Sequence, residues 1–122
     1  MRRDVLLIED EPHIAEAIRY ILARDGWEVA AHADGASAMT AILARSPLLV
    51  ILDVMLPGRS GFDILKDMRD DPATRAIPVL MLTARSQLKD RELAERLGAS
   101  RFVAKPFSNA DMLAAVRDLA GG

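Results

Sequence analysis

The fold of this chain is decided by residues 48–53, which read Leu-Leu-Val-Ile-Leu-Asp. Five consecutive apolar residues indicate a strand that is covered on both faces, as in a parallel sheet. The run ends on an acidic residue, Asp53, and a loop containing proline and glycine follows at 57–61. The stretch therefore predicts a buried strand with a carboxylate at its carboxyl end.

Apolar runs of this kind recur along the chain and alternate with segments of helical periodicity. The predicted strands span 5–8, 27–31, 48–52, 79–82 and 102–104. The predicted helices begin near Pro12, Ala36, Ser60, Ser86 and Ser108. Strict alternation of strand and helix predicts an α/β fold, with a parallel sheet and helices on both faces. The 122 residues fit one domain, so we expect a single domain over 1–122 with no output domain.

Composition argues against several classes of function. The formal net charge of -2 gives no basic field for binding nucleic acid. The absence of cysteine excludes disulfides, thiolate metal sites and cysteine nucleophiles. No apolar run approaches the ~20 residues that span a bilayer, and acidic residues at 9–11 interrupt the N-terminal apolar stretch too early for a signal peptide. We therefore expect a cytoplasmic protein that binds neither nucleic acid nor membrane.

Polar side chains follow four of the five predicted strands. Glu9 and Asp10 come after the first strand, Asp53 after the third, Thr83 after the fourth and Lys105 after the fifth. Open parallel sheets bind ligands outside the carboxyl ends of their strands, at the point where the strand order reverses. The five side chains are therefore expected to converge on one site.

The chemistry of these side chains is also consistent. Carboxylates ~5 Å apart repel by ~3 kcal/mol per pair at an effective dielectric constant near 20, so three of them need a cation or raised pKa values. Oxygen ligands of this kind suit Mg²⁺, which keeps several waters and takes one or two carboxylates directly. Lys105 adds a positive charge and Thr83 a hydroxyl donor. The set suits the formation of an aspartyl phosphate.

The sequence resembles the receiver domain of two-component response regulators along almost its whole length. The matching segments are VLLIEDEP, LVILDVMLPGRSGFDIL, VLMLTAR and LGASRFVAKPF. The resemblance implies a flavodoxin-like (βα)5 three-layer sandwich, with five parallel strands in the order 2-1-3-4-5. It also implies a signalling switch rather than an enzyme, one that assists its own aspartyl phosphorylation and dephosphorylation.

The resemblance assigns a role to each residue of the phosphoryl site. Asp53 would be the phosphoacceptor. Asp10 and Asp53 would bind Mg²⁺ directly, together with the backbone carbonyl of Met55, and Glu9 would act through water. Lys105 would form an ion pair with the phosphoryl group.

The same resemblance assigns the switch. Thr83 would reorient to bind a phosphoryl oxygen, Phe102 would report the switch through its rotamer, and the Lys105-Pro106 peptide bond would be cis. These changes would alter the face formed by the fourth helix, the last strand and the last helix.

The resemblance names the partner upstream and leaves the output partner unknown. A sensor histidine kinase or a histidine phosphotransfer protein would donate the phosphoryl group. Met55 and Arg85 occupy two variable positions of the family, and this pair of residues resembles the pair in regulators that carry winged-helix DNA-binding domains. These regulators often dimerise through acidic and basic residues on the output face. A homodimer on phosphorylation is therefore one expected assembly, although Arg101 stands where the family usually has an acidic residue.

Three other functions are alternatives for a chain of this kind. A phosphatase with an aspartate nucleophile usually needs a second aspartate two residues later, where this chain has Met55. A flavin carrier needs a phosphate-binding loop after the first strand, where the acidic residues 9–11 would repel a phosphate. A pseudo-receiver, which is an interaction module that is not phosphorylated, remains the alternative.

Overall fold

The computed structural model describes residues 3–84 and 88–121. The strands are β1 Asp4–Ile8, β2 Glu28–His32, β3 Leu49–Asp53, β4 Val79–Ala84 and β5 Arg101–Lys105. The helices are α1 Pro12–Arg24, α2 Ala38–Arg45, α3 Gly61–Asp70, α4 Leu88–Leu97 and α5 Asn109–Leu119. The alternation predicted from the sequence is therefore confirmed.

The strands form one parallel sheet in the order β2-β1-β3-β4-β5. Successive residues of a strand point to opposite faces, and two apolar cores result. Val5 and Leu7 lie in the core covered by α1 and α5, whereas Leu6 and Ile8 lie in the core covered by α2, α3 and α4. The flavodoxin-like three-layer arrangement is therefore confirmed.

Four strands end later than their apolar runs predicted, and in β3, β4 and β5 the added residues include one of the predicted site residues. Asp53, Thr83 and Lys105 are strand residues rather than residues that follow a strand. The parallel ladder continues through these polar residues, because Asp53 pairs with Leu82 and Thr83 pairs with Ala104. The correction matters for function, since a hydrogen-bonded strand holds its side chains more firmly than a loop does.

The starts of several elements also differ from the prediction, most of them by one residue. β2 begins at Glu28 rather than Trp27, whose ring is buried in the core instead. α2 begins at Ala38 rather than Ala36, because the side chain of Asp34 accepts the backbone N–H groups of Ala36 and Ser37 in a turn. The predicted start of the fourth helix at Ser86 lies outside the described residues.

α3 and α5 begin with the serine caps that the sequence predicts. Ser60 accepts the backbone N–H of Asp63, and Ser108 accepts that of Asp111. Each cap of this type is worth ~1 kcal/mol. Gly98, which follows α4, has φ +100, a left-handed conformation that glycine adopts without steric cost.

Asp25 joins α5 to the end of α1. The guanidinium of Arg117 donates to both carboxylate oxygens of Asp25, and the indole N–H of Trp27 donates at 3.0 Å. The hydrogen bonds from Arg117 and Trp27 lower the pKa of Asp25 to about 2.

Within the described residues, no helix has the length and apolarity needed to cross a membrane.

Candidate phosphoryl and metal site

Three carboxylates converge at the carboxyl end of the sheet. Glu9 and Asp10 follow β1, Asp53 ends β3, and one oxygen from each lies within 4.8 Å of the others. Glu9 and Asp53 are only 2% and 3% exposed, whereas Asp10 is exposed to solvent. The cluster therefore has two buried carboxylates and one on its solvent side.

Lys105 supplies the positive charge of the site. Its Nζ lies 3.0 Å from Oε1 of Glu9 and 3.1 Å from Oδ1 of Asp53. Burial alone would lower the pKa of Lys105, but its contacts with Glu9 and Asp53 outweigh burial and raise the pKa. The following peptide bond, Lys105-Pro106, is cis. One ammonium group thus bridges both buried carboxylates.

The surroundings of Glu9 make it harder to ionise. Its Oε2 accepts the backbone N–H of Glu11 at 3.1 Å, and its Oε1 has the ion pair with Lys105. Burial, reinforced by the charge of Asp53, outweighs these favourable contacts and raises the pKa of Glu9 from 4.5 to about 7. Near neutral pH the metal-free site therefore holds Glu9 partly protonated.

Glu9 is expected to make the metal-free protein less stable as the pH rises from about 4.5 to about 7. Within this window the unfolded state loses the Glu9 proton while the folded state keeps it, so the folded state binds more protons and the free energy of unfolding falls. The shift from 4.5 to about 7 corresponds to a loss on the order of 3 kcal/mol. Urea unfolding in a chelator should show a smaller decline in Glu9→Gln than in the wild type, and equal declines would contradict the expectation.

Thr83 brings an unused hydroxyl to the same end of the sheet. It is 1% exposed, and its Oγ1 has no hydrogen-bond partner among the described residues. A buried hydroxyl without a partner costs ~1–3 kcal/mol. This hydroxyl therefore has a hydrogen bond available to donate at the carboxyl end of the sheet.

The loop after β3 is held close to the site by its backbone. The N–H of Met55 donates to Oδ1 of Asp53 at 3.3 Å, and the N–H of Gly61 donates to the carbonyl of Val54 at 2.9 Å. A Cβ on Gly61 would lie 2.2 Å from the backbone oxygen of Asp53, so no larger residue fits there without moving the loop. The side chain of Met55 is 76% exposed, at the edge of the site.

The loop after β2 supports the loop after β3, which the sequence did not predict. The N–H of Gly35 donates to the carbonyl of Pro57 at 3.0 Å, and a Cβ on Gly35 would lie 2.2 Å from the backbone oxygen of Arg59. The glycine was visible in the sequence, but its neighbour is more than twenty residues away in the chain. Only the three-dimensional fold shows that Gly35 is needed for this close approach.

The remaining predicted residues lie toward the last strand and helix. Phe102 is partly buried against the core that contains α4. Arg101, next to it, donates to Asp118 of α5 at 2.9 Å. Arg85 lies outside the described residues.

The donor set fits a hard divalent cation. Three carboxylate groups offer oxygen atoms within 4.8 Å of one another, and Mg²⁺ prefers such oxygen ligands. Asp10 is exposed and therefore leaves a solvent side on which water and a phosphoryl oxygen can complete the coordination. The unpartnered hydroxyl of Thr83 lies in β4, whose neighbour β3 ends on Asp53.

This chain is similar to known proteins in both sequence and fold. Residues 5–117 match the response regulator receiver domain family. The DNA-binding response regulator MtrA of Mycolicibacterium smegmatis is 38% identical over 117 residues, which cover 96% of this chain and 50% of MtrA. The chain therefore spans about half the length of this relative.

Two solved structures resemble the fold over the whole of both chains. One is a putative response regulator from Chloroflexus aurantiacus, with a TM-score of 0.95 and 30% identity. The other is the receiver domain of the sensor histidine kinase PA1611 from Pseudomonas aeruginosa, with a magnesium ion coordinated in its active site cleft, a TM-score of 0.90 and 27% identity. Together with the family match and the strand order, these similarities show that the chain belongs to the response regulator receiver domains of two-component signalling.

Proposed function

We propose that Asp53 is the phosphoacceptor of this receiver domain and that Asp10, Asp53 and the carbonyl of Met55 bind Mg²⁺, with Glu9 acting through water. The observation that carries the proposal is the bridge formed by Lys105 between the buried Glu9 and Asp53. This ammonium group lies beside the acceptor oxygen before any phosphoryl group arrives. It is therefore already placed to offset the negative charge that transfer brings.

The proposed reaction transfers the phosphoryl group from one nucleophile to another. A carboxylate oxygen of Asp53 forms a bond to phosphorus while the bond from phosphorus to the donor nitrogen of a phosphohistidine breaks, and the nitrogen's lone pair returns to the imidazole. Bound Mg²⁺ would supply positive charge to the phosphoryl oxygens during this step. Lys105 moves its contact from Asp53 to a phosphoryl oxygen, which keeps the ammonium group paired. Water later hydrolyses the acyl phosphate.

Thr83 connects the transfer to the rest of the molecule. Its unpartnered Oγ1 gains a hydrogen bond by donating to a phosphoryl oxygen. Thr83 belongs to β4, which pairs with β5, and α5 packs against β5. A displacement of Thr83 is therefore expected to reach the face formed by α4, β5 and α5 as a shift between two packings.

The proposed partners are inferred from the family and from the face formed by α4, β5 and α5. The phosphoryl donor is a sensor histidine kinase or a histidine phosphotransfer protein, and the altered face is read by an output partner. The name of MtrA describes a DNA-binding regulator, which makes a transcriptional output one candidate. Because Arg101 already pairs with Asp118 within the chain, a homodimer through this face would have to compete with that ion pair.

The proposal is tested by measuring the intact mass of the protein after incubation with acetyl phosphate and Mg²⁺. We expect one phosphoryl group per chain, stable in acid, labile in alkali and absent when a chelator replaces Mg²⁺. A histidine kinase that has phosphorylated itself should give the same product. If neither donor produces an adduct, the chain is a pseudo-receiver and the proposed function is wrong.

A further inference from the structure

Arg91 of α4 covers the aromatic ring of Phe102 in β5. The guanidinium carbon lies 4.1 Å from the ring centroid, well within the ~6 Å over which a cation is attracted to an aromatic face. Arg91 itself is exposed, and Phe102 is partly buried. The contact therefore joins a surface cation on one element of the proposed output face to an aromatic residue on another.

Phe102 lies on the same face of the sheet as Thr83. In the register of β4 and β5, Met81 pairs with Phe102 and Thr83 pairs with Ala104. Residues two apart in a strand share a face, so Thr83 and Phe102 are diagonal neighbours on the side covered by α4. A movement of Thr83 toward a phosphoryl group changes the space beside the Phe102 ring.

Phe102 also borders a cavity on the edge of the sheet. The cavity has a volume of about 240 Å³, and its lining includes Phe102, Arg101, Pro106 and Asp111. Because Asp111 belongs to α5, this cavity lies on the α5 side of β5, whereas the Phe102 ring packs against the core that contains α4. On that side the ring is only partly buried, and the guanidinium of Arg91 covers it.

We propose that Arg91 is a positioning residue that holds Phe102 in its unphosphorylated position and thereby sets how readily the switch operates. This inference rests on the proposed function, because it concerns the same switch. The contact between Arg91 and Phe102 exists in the unmodified state, and displacement of the ring breaks it. Loss of the guanidinium therefore makes the displaced state easier to reach, and a ligand that favours that state binds more tightly by the same factor.

The test compares the wild type with Arg91→Gln, using beryllium fluoride with Mg²⁺ as a stable analogue of the phosphoryl group. The apparent dissociation constant of the analogue should fall about two- to fivefold, as expected for the loss of one exposed cation–π contact. The three phenylalanines can be labelled with fluorine, and Phe102→Leu identifies the Phe102 signal. In Arg91→Gln without the analogue, this signal should move toward its position in the analogue-bound wild type.

Two controls separate this role from a general effect of charge. Arg96→Gln removes the same charge from the same helix and should leave both measurements at wild-type values. In a Phe102→Leu background, Arg91→Gln should no longer change the affinity. An unchanged or weakened affinity in Arg91→Gln, or an equal gain in the Phe102→Leu background, would overturn the inference.

Failure of the proposed function gives a different result from failure of this inference. If the wild type does not bind the analogue, the proposed phosphoryl site is wrong. If the wild type binds the analogue and Arg91→Gln binds it with the same affinity, only the role of Arg91 is rejected. In the first case the fluorine signal still tests the contact, because Arg91→Gln must shift the Phe102 resonance of the unliganded protein. Thermal unfolding by circular dichroism checks that each variant is folded.

Discussion

Asp53→Asn is expected to reduce phosphoryl uptake from acetyl phosphate to background. The substitution keeps the shape of the side chain, and an amide oxygen can still accept the N–H of Met55, which lies 3.3 Å from Oδ1 in the wild type. It removes the anionic oxygen that forms the bond to phosphorus. The fold should therefore survive while the chemistry is lost, and intact-mass measurement after incubation with Mg²⁺ and acetyl phosphate follows this directly.

A matched control separates this loss from a general effect of removing an acid. Asp70→Asn changes an exposed aspartate at the end of α3 and should take up one phosphoryl group like the wild type. Phosphorylation of Asp53→Asn at the wild-type level would show that Glu9 or Asp10 is the acceptor instead. That result would retain the receiver fold and reject the assignment of Asp53.

The convergence of the acidic residues could be predicted from the sequence for a simple reason. An apolar run that ends in an acid, repeated in a chain of alternating strands and helices, puts those acids at one edge of a parallel sheet. Glu9, Asp10 and Asp53 meet there. The hydrophobic periodicity of the sequence and the topology of the sheet are therefore enough to predict this part of the site.

The contacts within the site could not be predicted in the same way. Whether Lys105 lies against Asp53, against Glu9 or in solvent depends on its rotamer, and its bridge between both acids is a property of the packed structure. Arg91 and Phe102 belong to different elements, and no spacing in the sequence links them. The strand ends were predicted too early because an apolar run stops at the first polar residue, whereas the ladder continues through Thr83.

Lys105→Ala is expected to slow phosphorylation by about a hundredfold while the site still binds Mg²⁺. Removal of one preorganised positive donor from a reacting oxygen typically costs ~10²–10³ in rate. The carboxylates that would bind the metal are unchanged, and loss of the competing ammonium group favours binding of Mg²⁺ to them. Metal affinity by calorimetry should therefore stay equal or rise while the rate from acetyl phosphate falls, and Lys66→Ala, an exposed lysine in α3, should change neither.

The same substitution should also change how stability depends on pH. Without Lys105, the buried Glu9 and Asp53 keep no ammonium partner, and removing one member of a buried ion pair costs ~3–5 kcal/mol while the other members stay charged. Because burial already raises the pKa of Glu9 to about 7, protonation relieves much of this cost at pH 5 but not at pH 8. Urea unfolding in a chelator should therefore show a larger loss of stability at pH 8, and addition of Mg²⁺ at that pH should restore most of it. An equal loss at both pH values would mean that Lys105 does not neutralise the carboxylates, and its role in phosphoryl transfer would then lose its electrostatic basis.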